Sequence, residues 1–283
     1  MKVFDSLKKK AEESKKVIVF PEGNDDRIIK AAVRLEKEGI VKPLLLGKPD
    51  EVIKTAQSLN VDLGSIEIIN PAVYPDFEKM CQDFVELRKG KNTLAEAKEI
   101  LQDVSYFGTM LVYEGKADGM VSGATHSTAN TVRPALQIIK TKKGMSRVSG
   151  AMIMERGDEK YIFADCAINI DPDEETLAEI GYQSAQTAKM AGIDPKVAFL
   201  SFSTKGSAEG PMVNKVHDAA AMFQKDHPEI PADGELQFDA AFVPSVGEKK
   251  APGSKVAGHA NVFVFPELQS GNIAYKMVQR LGN

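Results

Sequence analysis

Short apolar runs alternate with helix-like spacing of apolar residues through the first half of the chain. The runs at residues 17–20, 43–47 and 66–69 predict buried strands, because each is short and mostly apolar. The residues that mark predicted helices are Ile28, Ala32 and Leu35, then Val52, Ile53, Ala56 and Leu59, then Phe77, Met80, Cys81 and Phe84, then Leu94, Ala97 and Leu101, then Phe107, Met110 and Leu111. Such alternation favours a mostly parallel sheet with helices on both faces.

The pattern changes near residues 141–144. Beyond them, strands predicted at 148–154 and 161–164 flank a Gly-Asp turn, which is typical of a hairpin. Further strands are predicted at 197–202, 238–243 and 262–265, and helices at 171–188, 213–223 and 273–281. We therefore predict an α/β protein of two domains, residues 1–143 and 144–283, each with a mostly parallel sheet flanked by helices. A ligand-binding cleft is expected between them.

Composition narrows the classes of function. The 283 residues carry a net charge of −4 without a long basic stripe, which argues against nucleic-acid binding. The two cysteines lie far apart, so a disulfide framework is not expected and a reducing compartment fits. The N-terminal segment is charged rather than apolar, and no apolar run approaches the roughly 20 residues that span a bilayer. We expect a cytoplasmic protein that binds neither nucleic acid nor membrane.

The stretch from Val121 to Ile139 carries the strongest candidate chemistry. It follows an apolar strand end and leads into a predicted helix, whose free N–H groups favour an anion. Gly123 would let a ligand approach the backbone closely. Four hydroxyl side chains offer donors there: Ser122, Ser127, Thr128 and Thr131. The stretch predicts an oxyanion site, most simply for phosphate, and the alternative is a well-capped helix with a surface arginine.

Arg133 and Pro134 are predicted in the first turn of that helix. Proline is favoured there, whereas a cation opposes the helix dipole and so suggests an anion supplied from outside. The apolar face of the helix is predicted from residues at helical spacing, namely Val132, Ala135, Leu136 and Ile139.

Two further segments are candidate phosphate contacts. Ser203, Thr204 and Lys205 follow a predicted strand and could cradle a phosphate or pyrophosphate, although the glycines of a Walker loop are absent. The alternative is a polar loop that contains a lysine by chance. Arg88 ends a predicted helix, where a cation suits the negative terminus, and the functional alternative is a bidentate phosphate contact.

Cys166 and Asn169 close a predicted strand. Because Asp165 would raise the pKa of the neighbouring thiol, ligand contact or inert packing is predicted for Cys166 rather than nucleophilic catalysis. Asn169 could donate or accept a hydrogen bond at the same rim. The four histidines lack metal-ligand spacing, so no metal site is predicted, and His126 is interpreted as a loop residue beside the site. Residues 21–26 lie where α/β ligands dock, but a plain helix entry explains them equally well.

Several longer strings resemble the phosphate acetyltransferases of the phosphate acetyl/butyryltransferase family. The resemblance covers essentially the whole chain and favours the acetyl-transferring members over their butyryl-transferring relatives. The strings that carry it lie at residues 19–23, 88–91, 106–111, 117–123, 126–129, 131–141, 163–169, 200–207, 236–244 and 263–266.

The resemblance implies a two-domain fold like that of isocitrate and isopropylmalate dehydrogenases, with the active site in the interdomain cleft. It implies a homodimer whose substrates are coenzyme A or acetyl-CoA, acetyl phosphate and phosphate, with no metal and no nicotinamide or other cofactor. Arg133 with Ser127, Thr128 and Thr131 matches the expected catalytic group. Expected contacts to coenzyme A or phosphate are Arg88, Ser122, Cys166, Asn169, Ser203, Thr204 and Lys205.

Three alternatives follow from the same resemblance. Family members are expected to continue past the segment that ends at Asn283. The first alternative is therefore a weakly active or inactive fragment that still binds coenzyme A or acyl phosphate. Transfer of butyryl groups is the second. A metal-dependent decarboxylating dehydrogenase would need an aspartate cluster and a Tyr/Lys pair, which the sequence does not present.

Overall fold

The computed structural model of the chain describes residues 3–282, so Met1, Lys2 and Asn283 lie outside the described residues. Those residues divide into two compact units. One runs from Leu7 to Lys140, and the other comprises residues 3–6 and 141–282. Each unit holds its own sheet with flanking helices, which confirms the predicted α/β class. The domain limits 1–143 and 144–283, and the cleft, stay predictions.

The unit Leu7–Lys140 is built on a parallel sheet. Its strands are β1 (Val17–Phe20), β2 (Lys42–Leu46), β3 (Glu67–Ile69) and β4 (Gly119–Met120). After α1 (Val3–Ser14), which continues into this unit, its helices are α2 (Asp26–Lys37), α3 (Pro49–Ser58), α4 (Phe77–Leu87), α5 (Leu94–Ile100), α6 (Val104–Tyr113) and α7 (Thr128–Ile138), with a 3-10 turn at Pro71–Val73. The strand order is β3-β2-β1-β4.

Both faces of this sheet are buried. Val19 belongs to a core cluster with Phe84 and Phe107, whereas Phe20 belongs to a second cluster with Ile29 and Val52. Successive strand residues point to opposite faces, so a continuously apolar β1 supplies both clusters. Because β1 and β4 are parallel neighbours, the carboxyl end of β1 lies beside that of β4, where the loop leading to α7 begins.

The second unit contains a mixed sheet of order β5-β6-β9-β7-β8, with the following elements: β5 (Met152–Arg156), β6 (Glu159–Ala164), α8 (Glu174–Met190), β7 (Val197–Leu200), α9 (Pro211–Asp226), β8 (Ala232–Leu236), α10 (Phe238–Phe242), α11 (Pro244–Lys250), β9 (Val262–Val264) and α12 (Leu268–Leu281). Strands β5 and β6 form the predicted hairpin around Gly157 and Asp158, which is confirmed as the antiparallel pair of the sheet, while the other pairings are parallel.

The strand predicted at 238–243 is wrong, because those residues form α10. Phe238 and Phe242 stack at a centroid distance of 5.4 Å, the contact that a spacing of four residues gives on a helix. The neighbouring strand is β8, whose sequence Ala-Asp-Gly-Glu-Leu contains two acidic residues and predicted no strand. Asp233 and Glu235 are nonetheless buried, because Lys205 and the N–H of Gly206, in the loop that follows β7, donate to their carboxylates.

Helix α7 also differs from its prediction. It begins at Thr128, so Arg133 and Pro134 lie in its second turn rather than its first. The predicted apolar face is wrong as well. Pro134 and Ile138 are the residues buried against the unit, while Leu136 and Ile139 are 45% and 46% exposed.

Over residues 3–282, none of the helices combines the length and apolar character that crossing a bilayer requires.

Candidate active site

The loop between β4 and α7 wraps around the carboxylate of Glu22, which follows β1. Four consecutive backbone N–H groups, from Gly123 to His126, donate to this carboxylate at 2.6–3.0 Å. The Thr125 hydroxyl adds a bond at 3.0 Å. The backbone donors of the loop are thus committed to an anion that belongs to the protein, and an external anion must use other groups.

Glu22 is ionised at neutral pH. Burial opposes ionisation and would raise the pKa of this carboxyl, but the backbone N–H groups of Thr125, His126 and Ala124 and the His126 side chain outweigh it and lower the pKa to about 2. The side chain is 1% exposed. Such a buried, fully satisfied carboxylate fixes the backbone of the loop, and with it the direction in which the loop enters α7.

His126 is held by the same carboxylate. Its Nδ1 lies 2.8 Å from Oε1 of Glu22, and its side chain is 24% exposed. His126 is a loop residue, as predicted, and Glu22 sets the orientation of its ring.

The hydroxyl residues predicted to bind an oxyanion lie around the start of α7. Ser127 is the N-cap, and its Oγ accepts the N–H of Asn130 at 3.2 Å. The hydroxyls of Ser122 and Thr131 lie 3.5 Å apart, and Thr128 is the first residue of the helix. The structure therefore groups the four hydroxyl residues at one helix end, and their contact with a ligand stays a prediction.

Arg133 offers an uncommitted cation on the same helix. Its side chain is exposed, and its guanidinium forms no ion pair or hydrogen bond within residues 3–282. Gln137 is one turn further along the same face, because residues four apart on a helix are neighbours. The hydroxyl of Tyr106 donates to Oε1 of Gln137 at 3.0 Å.

Arg88 reaches the same neighbourhood from the end of α4. Its Nη1 lies 3.5 Å from the carbonyl oxygen of Gln137, and its Nε donates to Oδ1 of Asn92 at 3.3 Å. Burial raises the pKa of the Tyr106 hydroxyl, and the charges of Arg133 and Arg88 both oppose that shift. Two arginines that are 45 positions apart in sequence thus act on one tyrosine.

The loop at 203–207 in the other unit is satisfied internally. Lys205 pairs with Asp233 and donates to the carbonyl oxygen of Gly234 at 3.0 Å. The N–H of Gly206 donates to Glu235 at 2.7 Å, and the Ser203 hydroxyl lies 3.3 Å from the same carboxylate.

Thr204 is committed as well. Its hydroxyl accepts the N–H of Gln237 at 2.9 Å and donates to Oε1 of the same residue at 3.4 Å. The acids of β8 and the Gln237 side chain therefore already accept from the groups that a phosphate cradle would use as donors. Ligand contact by Ser203, Thr204 and Lys205 stays a prediction.

Cys166 and Asn169 are organised by Asp165. The Asp165 carboxylate accepts the N–H groups of Ala167, Ile168 and Asn169 at 2.7–3.0 Å and the side-chain amide of Asn169 at 2.6 Å. Cys166 is fully buried, and this burial, together with the charge of Asp165, raises the pKa of its thiol to about 12. A thiol whose pKa is raised in this way forms little thiolate at neutral pH, and the exclusion of Cys166 from nucleophilic catalysis stays a prediction. Ligand contact by either residue stays a prediction.

Sequence reasoning missed the groups that hold these residues in place: Glu22, Tyr106, Gln137, Asp233 and Glu235. The position of Glu22 after a buried strand was a visible signal, but a helix entry explained it equally well. Within the described range 3–282, no three His, Cys, Asp or Glu residues are arranged to hold a metal ion.

Mostly parallel sheets flanked by helices, with an uncommitted arginine and hydroxyl residues after the end of β4, define an α/β protein with a candidate anion site. Residues 2–283 match the Phosphate acetyl/butaryl transferase family, and the chain belongs to this family.

Individual relatives are similar over most of their length. The phosphate acetyltransferase of Bacillus subtilis (strain 168) is 55% identical over 281 residues, which cover 99% of this chain and 87% of that protein. The phosphate acetyltransferase of Staphylococcus aureus (strain MRSA252) is 57% identical, with 94% and 82% covered. The crystal structure of a phosphotransacetylase from Streptococcus pyogenes matches with a TM-score of 0.95 and 57% identity, covering 99% of this chain and 86% of that one.

Proposed function

We propose that this protein is an acyltransferase that exchanges an acetyl group between acetyl phosphate and coenzyme A, with phosphate as the other product or substrate. Family membership supports acyl transfer to or from phosphate. The acetyl group is supported by relatives of 55% and 57% identity that are phosphate acetyltransferases and that the chain covers over more than four-fifths of their length.

The chemistry of this exchange sets two requirements. In the direction of acetyl-CoA, the thiolate of coenzyme A attacks the acetyl carbonyl, the new carbon–sulfur bond forms, and the bond to the phosphate oxygen breaks. Negative charge develops on the carbonyl oxygen and on the leaving phosphate, so donors and cations must already be in place. The two substrates must also be held in line, because positioning supplies much of the rate.

Arg133 is the residue we place at the phosphate. The observation that carries this assignment is that its guanidinium is exposed and uncommitted within residues 3–282, on the helix that begins with the hydroxyl residues. Ser127, Thr128 and Thr131 supply further donors to the phosphate or the oxyanion. Arg88 interacts with the same tyrosine as Arg133, and we place it at a phosphate of coenzyme A.

The remaining ligand contacts are proposed with the same activity. Ser122 would contact the ligand at the start of α7, and contacts to coenzyme A are proposed for Cys166, Asn169, Ser203, Thr204 and Lys205. Coenzyme A acts as a substrate, and no cofactor is part of the proposal. The proposed state of the enzyme is a cytoplasmic homodimer. Transfer of butyryl groups is the secondary activity with which acetyl transfer is to be compared.

A coupled assay tests the proposal. Purified protein is expected to form acetyl-CoA from acetyl phosphate and coenzyme A, faster than it forms butyryl-CoA from butyryl phosphate, and with unchanged rate in EDTA. Arg133→Ala is expected to lower turnover at least about tenfold, because an oxyanion or phosphate contact contributes a few kcal/mol in the transition state. Arg156→Ala, which removes an exposed arginine of the hairpin, is the matched control and is expected to keep its rate.

Two results would contradict these assignments. Absence of acetyl transfer together with absence of coenzyme A binding would overturn the function. Normal kinetics in Arg133→Ala would remove that arginine from the site while leaving the function standing.

A further inference from the structure

The Glu22 carboxylate determines which nitrogen of His126 carries hydrogen. It receives six donor atoms, four from backbone N–H groups, one from the Thr125 hydroxyl and one from His126 Nδ1. An ionised carboxylate has no hydrogen to donate, so each partner in contact with it must be the donor. Nδ1 of His126, at 2.8 Å, therefore carries a hydrogen.

The other ring nitrogen is left as an acceptor. In a neutral imidazole that holds its hydrogen on Nδ1, Nε2 presents a lone pair. Nε2 has no hydrogen-bond partner among residues 3–282, although the ring is only 24% exposed. A carboxylate that holds one ring nitrogen orients a histidine so that its opposite nitrogen can meet a ligand, and His126 has this arrangement.

This acceptor complements the other groups around the start of α7. His126 directly precedes the N-cap Ser127. The guanidinium of Arg133 and the free N–H groups of the helix end can only donate hydrogen bonds. They therefore suit phosphate oxygens that bear no hydrogen. A ligand atom that does bear a hydrogen needs an acceptor, and the hydroxyl oxygens and Nε2 are the groups that can supply one.

We propose that His126 contacts the substrate through Nε2 as a hydrogen-bond acceptor, and that Glu22 is the positioning residue that fixes this polarity. The ligand group is a weakly acidic donor, either the thiol of coenzyme A or a hydroxyl of phosphate. This inference rests on the proposed function, which supplies both donors.

Two substitutions of His126 distinguish the role of Nδ1 from the role of Nε2. In His126→Asn, the side-chain amide can replace Nδ1 and keep the bond to Glu22, but the Nε2 acceptor is lost. In His126→Gln, the amide reaches the position of Nε2, but the bond to Glu22 is lost. Substrate contact predicts that His126→Asn keeps the melting temperature and loses at least about tenfold in kcat/KM, more than His126→Gln loses. A purely structural histidine predicts the opposite order, and that result would overturn the proposal.

The control is His259→Asn, which changes an exposed histidine of the other unit and is expected to keep its rate. The wild-type rate tests the proposed function by itself, so an inactive wild type is distinguishable from a failed inference about His126.

Binding titrations identify the donor. If the thiol is the partner, His126→Asn weakens binding of coenzyme A and leaves binding of desulfo-coenzyme A unchanged. If the phosphate hydroxyl is the partner, the variant raises the KM for phosphate and leaves the preference for coenzyme A over its desulfo analogue intact. A variant that changes neither contradicts substrate contact.

NMR can show which ring nitrogen of His126 carries hydrogen, without any measurement of turnover. Nitrogen-15 NMR of the histidine-labelled protein is expected to show the neutral His126 ring with hydrogen on Nδ1. In Glu22→Gln, the new amide can donate to Nδ1, so the hydrogen is expected to move to Nε2. A wild-type ring with hydrogen on Nε2 would overturn the role of Glu22, whatever the activity of the protein.

Discussion

Gly271 in α12 lies directly against the carbonyl oxygen of Asp165, so that a Cβ atom on Gly271 would overlap this oxygen. The same turn is tied to α12 by the side-chain amide of Asn272, which donates to the carbonyl oxygen of Cys166 at 3.0 Å. The missing side chain at position 271 is therefore what lets the helix approach the turn that contains Cys166.

Gly271→Ala is expected to destabilise the protein by at least about 2 kcal/mol, because the turn or the helix must shift. Helix propensity alone predicts the opposite sign, a gain of about 1 kcal/mol on replacing glycine by alanine. Urea denaturation measures the difference. Gln279→Ala, at an exposed position of α12, is the control and is expected to stay within about 0.5 kcal/mol of wild type. A stabilised Gly271→Ala variant would show that the close approach is not kept in solution.

The stability of the unit Leu7–Lys140 is expected to depend on the charge of Glu22. Its pKa falls from an ordinary 4.5 to about 2 on folding, so the ionised form favours the folded state. This contribution, roughly 3 kcal/mol, is complete above the unfolded pKa and is lost as pH falls from about 4.5 through about 2.

Glu22→Gln tests this dependence. Its loss of stability relative to wild type is expected to be largest at pH 7 and to shrink by about half at pH 3. Equilibrium unfolding in urea at both values provides the comparison. A difference that stays constant across this range would mean that the charge of Glu22 is not the source of the stabilisation.

Cys166 is expected to be dispensable for turnover. Its pKa of about 12 leaves almost no thiolate at neutral pH, and its side chain is fully buried. Cys166→Ala is expected to keep kcat within about threefold of wild type, and iodoacetamide is expected to leave the folded protein active. Complete inactivation of folded Cys166→Ala would show that this cysteine takes part in the reaction.

Asp233→Asn is expected to destabilise the second unit. Asp233 receives Lys205 and the Ser254 hydroxyl, and its side chain is 11% exposed, so a neutral amide leaves a lysine charge without its partner. The expected loss is about 2–4 kcal/mol, below the upper range for fully buried pairs because Lys205 is partly exposed. Glu159→Gln, which breaks the exposed pair with Arg156, is the control with an expected effect below about 1 kcal/mol. Equal effects of the two substitutions on the denaturation midpoint would contradict the larger contribution expected from the Asp233–Lys205 pair.

Continuously apolar strands and well-spaced helices were predictable from the sequence. The run Val17–Phe20 is buried on both faces, and its pattern records that burial directly. Strand β8 was missed because its inward positions are acidic, and their burial depends on donors from the loop at 203–207 that no local pattern reveals. The exposed face of α7 was misassigned because Leu136 and Ile139 are apolar but not buried in their unit.

The exposed hydrogen-bond donors of the candidate site were predictable from the sequence, but the residues that hold them in place were not. Arg133 and the hydroxyl residues stand out by type and spacing, whereas Glu22 is separated from the loop that it holds by about a hundred positions. Contacts of that sequence separation depend on the pairing of β1 with β4. A single sequence shows both strands but not the bonds between the segments that follow them.

The commitment of Lys205 and Gly206 to the acids of β8 has a consequence for engineering. The loop at 203–207 is not a transferable module, because its charges are balanced by a strand some 30 positions away. Grafted alone onto another scaffold, it would arrive with an unneutralised lysine and unfilled amides. The portable piece is the β7-loop-α9-β8 assembly, and recombination between relatives should keep crossover points out of residues 197–236.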